Sequence, residues 1–132
     1  MGIILKIKAL KLKNFRSYKT KEVQFHPKLN YIYGKNGSGK TNLIESIYFL
    51  TNLKSFRTKK RMNLLKNGFD SMYIRGDFYK DLEKKDVRLE VSFDEKRRIY
   101  RLNGKTEINL INYLQSVHTM VFFPDSLRIV KD

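Results

Sequence analysis

Apolar and basic residues alternate almost strictly over residues 3–15, with Ile7, Leu10 or Ala9, and Leu12 set against Lys6, Lys8, Lys11 and Lys13. That two-residue period predicts a strand with one buried face and one wet, basic face. Residues 18–25 alternate more weakly and stop at His26-Pro27, where proline forbids further ladder pairing. The two segments are expected to pair antiparallel around Asn14-Phe15-Arg16-Ser17. A short apolar run, Leu29-Asn30-Tyr31-Ile32-Tyr33, predicts a third, buried strand. Over residues 41–50 the pattern changes, because Leu43, Ile44, Ile47, Tyr48 and Leu50 cover more than one stripe of a helix. Such a helix is buried against a sheet, and its apolar side is expected to be core and nothing more. A basic connector without a clear period follows over residues 53–61. Two-residue alternation then returns over residues 73–79, 86–93 and 97–102, and Asn103-Gly104 is a type I′ hairpin signal. This second half reads as an antiparallel meander with charges outward. A short helix over residues 110–115, a buried strand over 117–123 and a helical turn opened by Pro124 complete the chain. The fold class is therefore α/β, a mixed sheet with an antiparallel meander around one strongly apolar helix, without repeats or linkers.

The junction of the third strand and that helix spells Gly34-Lys35-Asn36-Gly37-Ser38-Gly39-Lys40-Thr41, the pattern GxxxxGKT. Three glycines let successive backbone N–H groups turn inward around phosphate oxygens with no side chain in the way. The helix that follows aims the positive end of its dipole at the same anion. Lys40 is expected to reach the β- and γ-phosphates of a nucleoside triphosphate, and Thr41 to offer its hydroxyl to Mg²⁺. Asn42, in the first helical turn, closes the candidate set. The bland alternative is a glycine-rich turn that ends in Lys-Thr by chance, at odds on the order of one in a few hundred for so short a chain.

Length and composition allow one core: 132 residues, 41% hydrophobic, with nine Phe and eight Tyr. The absence of cysteine excludes a disulfide framework and thiolate metal sites and fits a reducing cytosol. No apolar stretch approaches the roughly 20 residues of a membrane span, and the apolar part of the start is too short for a signal peptide. A cytosolic location, away from membranes, is expected.

Of the net charge of +15, residues 1–61 contribute +13, from 15 Lys or Arg and two acids, Glu22 and Glu45. A field concentrated in the half that carries the glycine-rich loop suggests a second polyanion, most simply a nucleic-acid backbone. A lysine-rich solvated surface is the alternative, and composition does not separate the two.

Hydrolysis at such a loop needs a second acidic motif, an apolar strand ending in Asp. Two stretches imitate it. The run ending in Asp94-Glu95 carries Arg88 and Glu90 on an exposed face, whereas a metal-binding strand is buried on both. Val121-Phe122-Phe123-Pro124-Asp125 is better buried, but proline breaks the strand before the acid. His26 and His118 have no partner spacing, and no catalytic residue is assigned.

Leu12-Lys13-Asn14-Phe15-Arg16-Ser17-Tyr18, the glycine-rich loop running on through Tyr48, Lys54-Ser55-Phe56-Arg57-Thr58 and Phe122-Phe123-Pro124-Asp125 together resemble the N-terminal part of the bacterial RecF family. The first two motifs are shared with SMC-like chromosome and repair ATPases; the connector and the Phe-x-Pro segment favour RecF. The resemblance spans most of the chain in the expected order. It implies a lobe of an ABC-type ATPase that binds ATP and double-stranded DNA, dimerises on ATP, and with RecO and RecR helps load RecA at gaps. It also implies that Arg16 and Ser17 lie beside the nucleotide and Arg57 near the phosphates or the DNA. Lys11, Lys13, Lys54, Arg57, Lys59, Lys60 and Arg61 are the expected DNA contacts. Pro124-Asp125-Ser126 departs from the family's Pro-Glu-Asp, which leaves Asp125 without an assigned role. Residues 1–132 then correspond to an N-terminal piece of the head, whose second lobe, signature loop, second acidic motif and catalytic Glu lie further on, and this piece alone is expected not to hydrolyse ATP.

Two other readings carry different consequences. A phosphate-loop small-molecule kinase would need a parallel sheet with helical crossovers, against which the alternation of residues 73–102 argues. An SMC-like DNA-binding module would use the loop only as a switch.

Overall fold

The computed structural model describes residues 2–3, 7–25, 39–80, 83–117 and 121–122, with backbone alone at positions 2, 3, 40, 121 and 122. Each alternating segment forms a strand. In order these are β1 (Gly2–Ile3), β2 (Ile7–Phe15), β3 (Tyr18–Gln24), β4 (Ser71–Lys80), β5 (Lys85–Asp94), β6 (Arg98–Leu102), β7 (Lys105–Thr106) and β8 (Val121–Phe122). Helix α1 spans Lys40–Asn52, a 3₁₀ turn Arg61–Leu64 and helix α2 Leu110–Ser116. The expected strand over 29–33, the loop residues Gly34, Lys35, Asn36, Gly37 and Ser38, His26, His118 and the segment around Pro124 and Asp125 lie outside the described residues.

Six strands make one sheet in the order β3-β2-β4-β5-β6-β7, and β1 pairs with β8 in a separate two-stranded ladder. Every described pairing is antiparallel. The register carries apolar rows straight across: Leu12 opposite Ile74, Ile74 opposite Val91, and Val91 opposite Tyr100. Because side chains alternate with period two, this register puts these apolar rows on one face and leaves Lys11, Arg75, Glu90 and Arg101 together on the other. β4 returns beside β2 rather than β3, since α1 and the connector intervene between β3 and β4.

Helix α1 lies on the apolar face, with Ile44, Ile47 and Leu50 fully buried and the Phe49 ring edge-on to Phe93 at 5.9 Å. Burying each such side chain stabilises the fold by about 1.5–3 kcal/mol. Close approach is possible because Gly76 lies beneath the helix; a Cβ there would come within 2.5 Å of a Leu50 methyl. The helix ends at Leu53, whose left-handed backbone (φ 58) lets its N–H bond Phe49 O at 2.7 Å. Tyr113 of α2 is wholly buried and donates its hydroxyl to Leu50 O at 2.6 Å.

The structure adds to the expectation for α1. Glu45, Ser46 and Thr51 are as buried as its apolar residues, so the helix is enclosed nearly all round. Ser46 and Thr51 turn their hydroxyls back to Leu43 O and Ile47 O. Glu45 has no such option and dictates what surrounds it. The connector, without a period in sequence, ends in the 3₁₀ turn that buries Leu64 and Leu65. Its end is sewn to the β2–β3 hairpin by Arg16 N–H to Leu64 O and Lys66 N–H to Asn14 O. Val117 ends α2 in extended backbone, and the following strand is described at Val121–Phe122.

Candidate functional site

Helix α1 starts at Lys40, with Gly39 as its cap in left-handed backbone, φ 88. Tyr18, from the start of β3, donates its hydroxyl to Gly39 O at 2.8 Å, and a Cβ on Gly39 would crowd that oxygen at 3.0 Å. Glycine is therefore needed for both the φ and the space. Burial raises the Tyr18 phenol above its ordinary value, so it remains a donor. No side chain caps the helix start and no acid lies in its first turn. Among the described residues, those N–H groups and the positive end of the dipole are available to an anion.

Asn42, on the first turn, accepts from Arg57 Nη2 at 2.6 Å and donates to Ser17 Oγ at 3.0 Å. One turn on, the fully buried Glu45 carboxylate collects four hydrogen bonds. Arg16 grips it with two prongs, Nε to Oε1 at 2.9 Å and Nη2 to Oε2 at 3.0 Å. Arg57 Nη2 donates to Oε1 and Ser55 Oγ to Oε2, each at 2.5 Å. Burial pushes the Glu45 carboxyl upward, but the bonds from Arg16, Arg57 and Ser55 and the charge of Arg57 outweigh it and hold the group below its ordinary value. Arg16 reaches Glu45 because it occupies the hairpin turn with left-handed backbone, φ 51, a conformation costing a non-glycine residue about 1–3 kcal/mol.

Of the residues expected at a nucleotide, the fold thus gathers Arg16, Ser17, Gly39 and Asn42 at one end of α1, with Thr41 on the same turn and with Arg57, expected near the phosphates or the DNA, beside them. Lys40 opens the helix. Tyr18, Glu45 and Ser55 were not singled out from sequence. Glu45 left a signal: one of only two acids in residues 1–61, it stands among apolar residues where a carboxylate demands cations.

The expected DNA contacts divide between two faces. Lys54, Arg57, Lys59, Lys60 and Arg61 border one groove of about 890 Å³ on the α1 side, joined there by Arg98 and floored by Tyr48, Phe56 and Tyr100. No acid is among the groove's described lining residues. Phe56 meets Tyr48 edge-on at 5.4 Å, and the Arg61 guanidinium lies 5.4 Å from the Phe93 ring. Lys11 and Lys13 belong to the opposite face of the sheet, where Lys11 pairs with Glu22 at 3.5 Å. Asp94 is engaged in its own turn, accepting from the N–H groups of Lys96 and Arg97 at 2.8 and 2.7 Å, which hold its carboxyl below the usual range. Among the described residues no group of three or more His, Cys, Asp or Glu could hold a metal ion.

Comparison with known proteins identifies the relatives of this chain and of its fold. The DNA replication and repair protein RecF of Clostridioides difficile (strain 630) is 38% identical over 128 residues, 97% of this chain and 34% of that protein. RecF of Desulfitobacterium hafniense (strain DSM 10664 / DCB-2) is 37% identical over 127 residues, 96% of this chain and again 34% of the relative. The chain therefore spans about a third of the length of the curated relatives it matches. Among solved structures, the recombination mediator protein RecF-ATP of the RecFOR pathway superposes with a TM-score of 0.77 at 25% identity, over 100% of this chain and 35% of that one. The SMC head domain from Thermotoga maritima has the same fold, with a TM-score of 0.59 at 22% identity over 82% of this chain and 40% of that one. The family profile described as the RecF/RecN/SMC N terminal domain matches residues 6–122, and the chain belongs to that family.

Proposed function

We propose that this chain is the nucleotide-binding part of the ATPase head of a RecF-like recombination mediator, an N-terminal piece of its first lobe. The observation that carries the reading is the start of α1, where the described residues supply neither a side-chain cap nor an acid. A GxxxxGKT spelling runs into a helix whose first turn has neither a side-chain cap nor an acid, with Arg16 and Arg57 close by. Backbone N–H groups of the glycine-rich loop and of α1 would cradle the phosphates, and Lys40 would meet the β- and γ-phosphates. Thr41 would hold Mg²⁺ together with the nucleotide's own oxygens; the ion neutralises phosphate charge. The ATP-bound RecF structure that shares this fold supports the choice of nucleotide.

For the intact protein the reading extends to ATP-dependent dimerisation, binding of double-stranded DNA, and cooperation with RecO and RecR to promote RecA loading at gaps, in the cytoplasm. The names of the relatives, a DNA replication and repair protein and a mediator of the RecFOR pathway, support this extension. Among the described residues no helix is long and apolar enough to cross a membrane.

The test is binding of a fluorescent ATP analogue to the 132-residue chain, with and without Mg²⁺, beside Lys40→Ala. Removing a charge-assisted hydrogen bond worth about 1.5–3 kcal/mol should weaken binding roughly 10- to 100-fold. Turnover is expected to stay at background, because hydrolysis needs a second acidic strand and a facing protomer to stabilise the transferring phosphoryl group. Equal binding by the two proteins would sink the nucleotide reading. Turnover of about one per second abolished by the substitution would mean that Asp94, Glu95 or Asp125 completes a catalytic site.

A further inference from the structure

One cation balances the charge of a buried carboxylate. Glu45 has two, brought from the hairpin before α1 and the connector after it. The acid is sealed at 0% exposure, whereas the side chains of Arg16 and Arg57 keep 24% and 32%. Arg16 and Arg57 both border one open cleft of about 500 Å³, lined otherwise by the connector and the residues just after it, and no acid is among its described lining residues. One carboxylate balances one guanidinium, so the cluster keeps a net positive charge on its outward side.

Glu45 also sets the backbone that carries Arg57. The Ser55 hydroxyl donates a hydrogen bond to Glu45 Oε2, and its oxygen is thereby oriented to accept from the N–H groups of Arg57 at 2.9 Å and Thr58 at 3.2 Å. Arg57 is held at both ends, its main chain through Ser55 and its guanidinium by Glu45 and Asn42. Asn42 is neutral, so it orients Arg57 without cancelling its charge. A carboxylate is required for all of this, because it accepts at every lone pair. A glutamine would aim an amide donor at the donors of Arg16 or Ser55.

We propose that Glu45 is the positioning residue of the phosphate site: it fixes Arg57 and Arg16 beside the first turn of α1 and leaves their surplus charge for the phosphates of a bound nucleotide. This rests on the nucleotide reading above. A bidentate Arg–carboxylate pair is geometrically specific, which is what positioning demands. A charge that Glu45 displays rather than buries costs no rearrangement when an anion arrives.

The experiment compares the 132-residue chain with Glu45→Gln, Arg57→Gln and the double variant, with three readouts. Thermal midpoint reports stability, exchange of the Arg16 Nε–H by NMR reports the clamp without any nucleotide, and anisotropy of a fluorescent ATP analogue reports the site. Glu45→Gln is expected to expose the Arg16 Nε–H to rapid exchange and to weaken analogue binding by about tenfold. The double variant should lose less than the sum of the two single losses, because Glu45 acts in part through Arg57 and in part through Arg16. A lower midpoint with unchanged affinity would make Glu45 a structural acid only, and additive losses would mean that it does not act through Arg57. Weakened binding of a short DNA duplex with nucleotide affinity intact would assign the surplus charge to DNA and overturn the proposal. If the unsubstituted chain and Lys40→Ala bind the analogue equally, the nucleotide reading fails and this proposal with it, while Nε–H exchange still reports whether Glu45 clamps Arg16. Should Glu45→Gln not fold, Ser55→Ala removes one prong and one backbone anchor, and a severalfold loss of affinity is then expected; no loss overturns the proposal.

Discussion

At the scale of single residues, the buried Glu45 makes stability depend on acid. Its folded carboxyl lies below the ordinary value of 4.5, and the unfolded chain therefore binds the proton more readily. The stabilisation is present in full above about pH 4.5 and is lost as pH falls through the folded value. Urea unfolding midpoints measured from neutral pH downward should fall across that window, and Glu45→Gln should flatten the decline. An equal decline in both proteins would place the acid sensitivity elsewhere. The sequence made Glu45 visible as a charge but not as a hub. Its partners Arg16 and Arg57 stand on either side of the helix, and only the hairpin turn and the connector's return bring them together. The proposed phosphate site is of the opposite kind, because its spelling is local: Gly39, Thr41 and Asn42 are consecutive or nearly so in sequence, and the structure places them together at the start of α1.

Among elements, the seat of α1 on the sheet rests on one absent side chain. Gly76, in the middle of β4, lies under Leu50, and an added Cβ would also meet the Phe78 ring at 2.8 Å. Gly76→Ala is expected to destabilise the fold by about 1–3 kcal/mol, because a packed core yields poorly to an extra methyl group. The measurement is equilibrium unfolding, and Gly68→Ala is no equivalent control, since its positive φ of 91 adds backbone strain. An unchanged midpoint would show that α1 can lift from the sheet at little cost. Alternation revealed β4, β5 and β6, and Asn103-Gly104 revealed the tight turn after them, with φ 53 and 84 at its centre. Those signals are local. Pairing of β4 with β2 was not legible, because it depends on a crossover whose path is decided by where Leu64 and Leu65 find cover. The 3₁₀ turn that covers them leaves no period in so short a segment.

For the whole molecule the question is what the charge of +15 meets. The fold sorts the basic residues by surface: the connector cations gather over an aromatic floor without acids, whereas the outer face of the sheet interleaves Lys11, Arg75 and Arg88 with Glu22, Asp77 and Glu90. Paired charges release few counterions on meeting DNA, so the connector is the stronger candidate for the proposed duplex contact. Lys54, Lys59 and Lys60 are exposed and can be neutralised together, whereas Arg61 lies against Phe93, and removing it would confound charge with packing. Substituting these three lysines with glutamine should reduce the slope of log affinity against log salt by about 0.9 for each DNA phosphate that no longer meets a lysine. Replacing Lys11 and Lys13 should change it less, with Lys11 already paired to Glu22. The measurement is anisotropy of a labelled duplex between roughly 50 and 200 mM salt. A slope unmoved by the triple substitution would reduce the connector to a solvated rim. A larger change from the Lys11 and Lys13 pair would move the DNA to the far side of the sheet, away from α1 and from any direct influence of Arg57.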